Sequence, residues 1–150
     1  MRYQTILVAT DFSETANAAV EHAAGLARHF DAKLVLVHAY NVEIPIASPA
    51  MAGSYVLPDG FFEQLAKQAR LEVENAAKAL AEGDLDVSGV ALDQPAALAI
   101  VGEAERHGAD LIVMGTRGLT GLKHVALGSV ADRVVRNAPC PVLTVPGSAS

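Results

Sequence analysis

The chain has 150 residues, of which 51% are hydrophobic, and its 11 Lys and Arg against 17 Asp and Glu give a formal net charge of -6. This length and composition suit one domain with a single buried core, so we expect one domain over residues 1–150. The acidic balance argues against DNA or RNA as partners, because clustered basic residues hold phosphate backbones.

The start of the chain, its apolar runs and its cysteine content bear on the compartment. The first residues, MRYQTILVATDFS, enter a strand pattern at once and lack the apolar core and cleavage site of a signal peptide. No apolar run approaches the roughly 18 residues that span a bilayer. Cys140 is the only cysteine, so no internal disulfide can form. We expect a cytoplasmic protein without a membrane segment, in which Cys140 is a small buried apolar residue rather than a nucleophile.

The first half of the chain predicts two strands and two helices. The run TILVA at Thr5–Ala9 and the run LVLV at Leu34–Val37 are continuously apolar, as in strands covered on both faces. Apolar stripes of helical period, from Ala16 to Phe30 and from Phe62 to Leu80, predict the helices. Residues 41–60 fit neither period and predict a long loop, which is either a lid over a ligand site or a surface insertion without a role.

The next segment predicts a weaker strand and a short helix. The strand, Val87–Leu92, is interrupted by Gly89. Pro95 fits the first turn of the helix, and an apolar stripe from Ala97 to Ala104 marks its buried face.

The last quarter predicts two strands around a fourth helix. The strands are Leu111–Met114 and Val142–Val145. Ser129 with Asp132 makes a capping box for the helix, which must end before Pro139.

Strands and helices therefore alternate along the whole chain. Alternation of this kind predicts a doubly wound, Rossmann-like α/β fold, in which a five-stranded parallel sheet carries helices on both faces. Residues 147–150 are expected to form a frayed tail.

A glycine pattern follows the fourth predicted strand. Two residues separate Gly115 from Gly118, and nine more precede Gly128 and Ser129. A strand that leads into a glycine-rich loop and a helix start offers bare N–H groups to an anion, so we interpret this region as a nucleotide phosphate site. Gly118 and Gly128 are expected to tolerate positive φ and to leave room for phosphate oxygens. The alternative is a turn that merely links strand to helix.

With this spacing the region resembles the universal stress protein family, in its ATP-binding branch, and the similarity extends over nearly the whole chain. Supporting segments are ILVATDFS, LVLVHAY, ADLIVMGTRG and APCPVLTVP, which surround the first, second, fourth and fifth predicted strands. One departure is Asp93-Gln94-Pro95, where many relatives begin the third helix with a glycine.

The resemblance implies ATP as cofactor, with Mg²⁺ bound through the phosphates. Adenine and ribose would lie against the ends of the first, second and fourth strands, with the phosphates over the glycine loop and the fourth helix start. The resemblance also implies a homodimer through the last strand, and the leading functional hypothesis below adds an unknown protein partner. The implied nucleotide contacts are Ala9, Thr10, Asp11, His38, Ala39, Met114, Gly115, Arg117, Gly118, Gly128, Ser129 and Val130.

Several polar residues in these segments have two interpretations. Asp11 can accept hydrogen bonds from ribose hydroxyls or hold water on Mg²⁺, or it can cap the first helix together with Glu14. Arg117 and Lys123 are the basic residues placed to meet phosphate, although Lys123 fits a solvated loop charge better. His124 lies inside the glycine loop, where a lone histidine is more often simply exposed.

Three functions fit these patterns. The leading hypothesis is an ATP-binding stress-response module that switches rather than turns over, with at most slow hydrolysis or autophosphorylation at Ser129 or Thr120. The second is a nucleotide-free dimeric interaction module of the same fold. The third is an enzyme that forms an adenylate, which the absence of the corresponding loop motifs disfavours. The five histidines show no metal-site spacing, and no Walker sequence is present to drive fast hydrolysis.

Overall fold

A computed structural model describes residues 1–41, 57–116 and 127–147. Within these residues strands and helices alternate as predicted. In chain order they are β1 (Thr5–Ala9), α1 (Glu14–Phe30), β2 (Lys33–Ala39), α2 (Phe61–Leu80), β3 (Val87–Leu92), α3 (Ala96–His107), β4 (Leu111–Gly115), α4 (Ser129–Asn137) and β5 (Val142–Val145).

The five strands form one parallel sheet in the order β3-β2-β1-β4-β5. The registers Ala9↔Val37 between β1 and β2 and Leu7↔Ile112 between β1 and β4 fix the centre of the sheet. The chain thus begins in the middle strand and winds outward in both directions, which confirms the doubly wound α/β fold.

Each face of the sheet carries its own apolar cluster. On one face, side chains of β1, β2 and β4 pack against α1 and α2, with Ile6, Leu34 and Val113 among the fully buried residues. On the other face Leu7, Val35 and Ile112 pack against α3 and α4. Burial on both faces explains why these strands read as continuous apolar runs.

Two predicted helix starts were wrong in detail. The capping box of Ser129 and Asp132 is not formed, because Ser129 is the first residue of α4 and Gly128 occupies the N-cap position without a side-chain hydrogen bond. The Asp132 carboxylate instead accepts from Arg136 Nε at 3.0 Å. Pro95 is the N-cap residue of α3 and lies just outside its first turn. In agreement with the prediction, α4 ends before Pro139.

Helix α2 buries a narrower face than predicted. Ala69, Val73 and Ala77 are buried, whereas the side chain of Phe62 is 52% exposed. The helix approaches β3 closely at Gly89, where an added Cβ would lie 2.8 Å from the carbonyl oxygen of Val73. The glycine that interrupts the apolar run of β3 is therefore the place where helix and strand meet.

Parts of two predicted irregular segments lie outside the described residues. These parts are residues 42–56 of the predicted loop and residues 148–150 of the predicted tail. Among the helices of the described ranges, none is long and apolar enough to cross a membrane.

Candidate functional site

The strand order places a topological switch point between β1 and β4. The connection from β1 goes to one side of the sheet, whereas β4 continues on the other side. In open α/β sheets the crevice beyond the carboxyl ends of two such strands is where ligands bind.

A cavity lies at this switch point. It spans about 510 Å³ of space, open solvent at its mouth included. Its lining residues are Ala9, Thr10, Asp11, Ala16, Val37, Ala39, Ala96, Ile100, Met114, Gly115 and Val130. Seven of these are predicted nucleotide contacts, and the walls are mostly apolar.

Four lining residues were not predicted as contacts. They are Val37, Ala16, Ala96 and Ile100. A signal for Val37 was available, because side chains two apart on a strand share a face and Ala39 was already predicted. Ala16 and Ile100 stand on the predicted apolar stripes, so they were assigned to the core alone.

The turn between β1 and α1 holds the side chain of Asp11 by a hydrogen bond to the backbone. Ser13 caps α1, since its hydroxyl accepts from the N–H of Ala16 at 3.2 Å. The interpretation of Asp11 as the helix cap was therefore wrong. Its Oδ1 accepts from the N–H of Ser13 at 2.9 Å, which leaves the other carboxylate oxygen for a ligand in the cavity that Asp11 lines.

His38 lies on β2, beside the turn between β1 and α1, and is not among the cavity-lining residues. Its Nδ1 lies 3.0 Å from the carbonyl oxygen of Thr10. Because a carbonyl only accepts, Nδ1 carries the proton of this bond. The ring of Phe12 lies against the imidazole, with a centroid distance of 4.7 Å.

Ala39 presents backbone groups beyond the end of β1. Val37 directs its carbonyl towards β1, where it accepts from the N–H of Thr10 at 2.9 Å, and the β1 ladder ends at the pair Ala9↔Val37. Ala39 follows two residues later and has the same orientation, since backbone direction alternates along a strand. Its N–H and C=O therefore face the cavity side of the turn instead of a neighbouring strand.

Gly128 and Ser129 form the start of α4. Gly128 has φ -67° and ψ 164°, so the expectation of a positive φ at this residue was wrong. Its N–H donates to the carbonyl of Thr116 at 2.7 Å. The first helical N–H groups, from Ser129 onward, have no acceptor within the helix, and Val130 lines the cavity. The amides that α4 can offer an anion are thus those of its first turn.

The remaining glycine-loop predictions fall outside the described residues. These are Arg117 and Gly118 among the nucleotide contacts, together with Thr120, Lys123 and His124. Within the described ranges no cluster of three or more His, Cys, Asp or Glu side chains could hold a metal ion.

Cys140 is only partly buried and lies away from the cavity. Burial raises the pKa of its thiol above the ordinary value, and the Asp110 carboxylate adds to the rise. A raised pKa lowers the thiolate fraction, so this cysteine is less reactive than a free one.

Comparison with known proteins agrees with the fold. Residues 2–146 match the model of the universal stress protein family. Universal stress protein MJ0531 of Methanocaldococcus jannaschii is 38% identical over 143 residues, which cover 95% of this chain and 82% of the relative.

Solved structures give the same result. The structure of hypothetical protein MJ0577 is 31% identical, with a TM-score of 0.82 and full coverage of both chains. A universal stress protein in complex with cAMP is 30% identical, with a TM-score of 0.65 and coverage of 99% of this chain and 100% of that one. The present chain belongs to the universal stress protein family.

Proposed function

We propose that this chain binds ATP, with Mg²⁺ on the phosphates, and acts in the cytoplasm as a nucleotide-dependent regulatory module. Bound nucleotide would change a surface that a partner protein recognises. The observation that carries the proposal is the cavity at the β1/β4 switch point, which seven of the predicted contacts line. The relative in complex with cAMP supports the same ligand class.

The adenine ring fits the apolar part of the cavity. Val37, Ile100 and Met114 offer apolar surface to its faces. The neighbouring N–H and C=O of Ala39 match the edge of adenine, whose N1 accepts and whose amino group donates. Guanine presents a donor and an acceptor in the reverse order, so it would oppose like groups. We therefore propose selectivity for adenine over guanine nucleotides.

In this proposal the ribose follows the adenine, and the phosphates lie beyond the ribose, near the start of α4. Asp11 has one carboxylate oxygen that is not used within the turn, and it would accept from a ribose hydroxyl or hold water on Mg²⁺. The first-turn amides of α4, with the hydroxyl of Ser129, would hold phosphate oxygens. One contact at a helix N-terminus contributes about 0.3–1 kcal/mol, so several are needed together.

We do not propose rapid hydrolysis of ATP as the activity of this chain. Among the described residues that line the cavity, Asp11 is the one carboxylate, and it is held by the helix start rather than by a second acid or base. We propose slow hydrolysis at most, with switching as the function.

We also propose a homodimer through β5. This strand is an edge of the sheet, and the side chain of Leu143 on it is 37% exposed. Val135 on the neighbouring α4 is 48% exposed. An apolar edge strand is a template for pairing with another chain, and a second copy would cover it.

Calorimetric titration with ATP and Mg²⁺, with GTP as the matched ligand, tests the nucleotide proposal. Binding of ATP with at least tenfold weaker binding of GTP is expected. At 100 times the dissociation constant, ATP should add roughly 2.7 kcal/mol to the free energy of unfolding. Failure of the wild-type protein to bind ATP would favour the nucleotide-free interaction module.

Substitutions at Gly128 test the position of the phosphates. Val is compatible with the φ of -67° at this residue, so Gly128→Val should fold normally and place a branched side chain beside the first turn of α4. We expect it to abolish ATP binding, with Gly128→Ala intermediate and the circular dichroism spectrum unchanged. Normal ATP binding by Gly128→Val would show that the phosphates lie elsewhere.

A further inference from the structure

We propose that Phe12 and His38 form an aromatic clamp that positions Asp11 for the nucleotide without either side chain touching it. This inference rests on the proposed function, because it assigns to Asp11 a ligand in the cavity. Both clamp residues lie beside the cavity, and neither is among its lining residues.

The backbone of Phe12 is the first observation behind the clamp. Its φ is 63°, in the left-handed region that bulky residues rarely adopt. Such a conformation persists only where its surroundings hold it, and it occurs most often at functional sites. One contact on Phe12 is that of its ring with the imidazole of His38, with centroids 4.7 Å apart and planes at 56°.

The second observation is where the imidazole points. Side chains alternate along β2, so Val37 and Ala39 face the cavity while His38 faces the opposite side of the sheet. From there Nδ1–H donates to the carbonyl of Thr10 at 3.0 Å. Thr10 is 6% exposed, so water has little access to replace this bond.

Both chain neighbours of Asp11 are therefore fixed by His38. Thr10 is held through its carbonyl and Phe12 through its ring, and the N–H of Phe12 also donates to the hydroxyl of Thr10 at 3.0 Å. Asp11 lies between these two residues, with Oδ1 accepting from the N–H of Ser13 and the other carboxylate oxygen not used within the turn. Loss of either clamp residue would allow the carboxylate to turn away.

A double-mutant cycle with Asp11 tests this role. Phe12→Gly keeps the left-handed backbone and removes the ring, and His38→Phe keeps a ring and removes the donor. Each is expected to weaken ATP binding by about tenfold, the effect of one hydrogen bond to a charged group. In the Asp11→Ala background neither substitution should weaken binding further, because no carboxylate remains to be positioned.

The chain offers a matched control for each variant. Asp84 has a φ of 68° in a turn before β3, so Asp84→Gly relaxes a similar backbone away from the cavity. His29 contacts the ring of Phe30 at a centroid distance of 4.9 Å near the end of α1, so His29→Phe changes a similar pair. Both controls should bind ATP as the wild type does. His38→Asn, which keeps a donor near the Nδ1 position, should recover part of the loss.

The clamp is overturned if Phe12→Gly and His38→Phe bind ATP normally, or if they weaken binding as much without Asp11 as with it. A second readout needs no nucleotide: amide exchange of Ser13, whose N–H bonds Asp11, should become at least tenfold faster in both variants at unchanged β-sheet protection. If the wild type does not bind ATP, the proposed function fails, and unchanged Ser13 exchange would separately refute the clamp.

Discussion

Asp110 joins the starts of the two strands that flank the switch point, so its replacement tests what aligns them. It lies between α3 and β4, and its Oδ2 accepts from the N–H of Gln4 at 2.7 Å and of Thr5 at 2.9 Å. The N–H of Asp110 donates back to the carbonyl of Thr5 at 2.8 Å. Asp110→Ala removes the acceptor of two strand amides and leaves the return bond in place.

The two lost bonds differ in their surroundings. Hydrogen bonds to charged groups contribute about 1.5–3 kcal/mol each when they are protected from water. The bond to Thr5 is partly buried and should keep a value near the lower end, while the bond to Gln4 is exposed and water replaces it at small cost. We therefore expect Asp110→Ala to lower the free energy of unfolding by about 2 kcal/mol, or roughly 4–8 °C in Tm for a domain of this size.

Urea unfolding followed by circular dichroism measures this change, provided that the slope m stays constant. Asp110→Asn keeps an uncharged acceptor and should lose about half as much. Asp132→Ala is the matched control, since its carboxylate pairs with Arg136 at 49% and 74% side-chain exposure, and exposed pairs contribute at most about 1 kcal/mol. An Asp110→Ala protein within 0.5 kcal/mol of wild type would refute the role of this carboxylate.

Three further predictions concern the close approach at Gly89, the pKa of Cys140 and the pH dependence of stability. Gly89→Ala should lower the free energy of unfolding in urea by about 1–3 kcal/mol, because the added Cβ would meet the Val73 carbonyl. Gly25→Ala is the control, since open space surrounds Gly25 and alanine there should stabilise α1. Equal effects of the two substitutions would contradict the close approach at Gly89. Asp110→Asn should lower the pKa of Cys140 without restoring the ordinary value, because burial is the larger cause, and the pH dependence of alkylation measures it. Because the pKa of Cys140 is raised in the folded state, the thiol contributes to stability below its unfolded pKa. This contribution is lost as the pH rises through the folded pKa. Cys140→Ala should remove this pH dependence of the free energy of unfolding.

The fold could be predicted because a buried parallel sheet leaves a strong pattern. The strands Thr5–Ala9, Val87–Leu92 and Val142–Val145 end where the sequence predicts. The second and fourth strands run further, to Ala39 and Gly115, because the ladders to their outer neighbours continue after β1 has ended. Such an extension depends on strand order, which apolar runs alone do not encode.

The site could be predicted only in part, because the tertiary fold brings some of its residues to the cavity. Thr10 and Met114, which lie close to strand ends, could be predicted because a sequence motif marks them. Ala16 and Ile100 reach the cavity by tertiary placement of α1 and α3, and on a helical stripe they are indistinguishable from core residues. The hydrogen bond of His38 could not be predicted either, since a sequence does not show that its Nδ1 donates to the carbonyl of Thr10.

The charge in the cavity bears on where each part of a bound nucleotide would lie. Among the described residues that line it, Asp11 is the one ionisable side chain, and it is negative. A carboxylate repels phosphate unless Mg²⁺ lies between them or the phosphates are kept at a distance. The apolar walls and the Ala39 edge suit a nucleoside, and the free first-turn amides of α4 suit its phosphates. Under the proposed function, the strand ends would therefore recognise adenosine, and the attraction for a triphosphate would come from the first turn of α4 and from Mg²⁺.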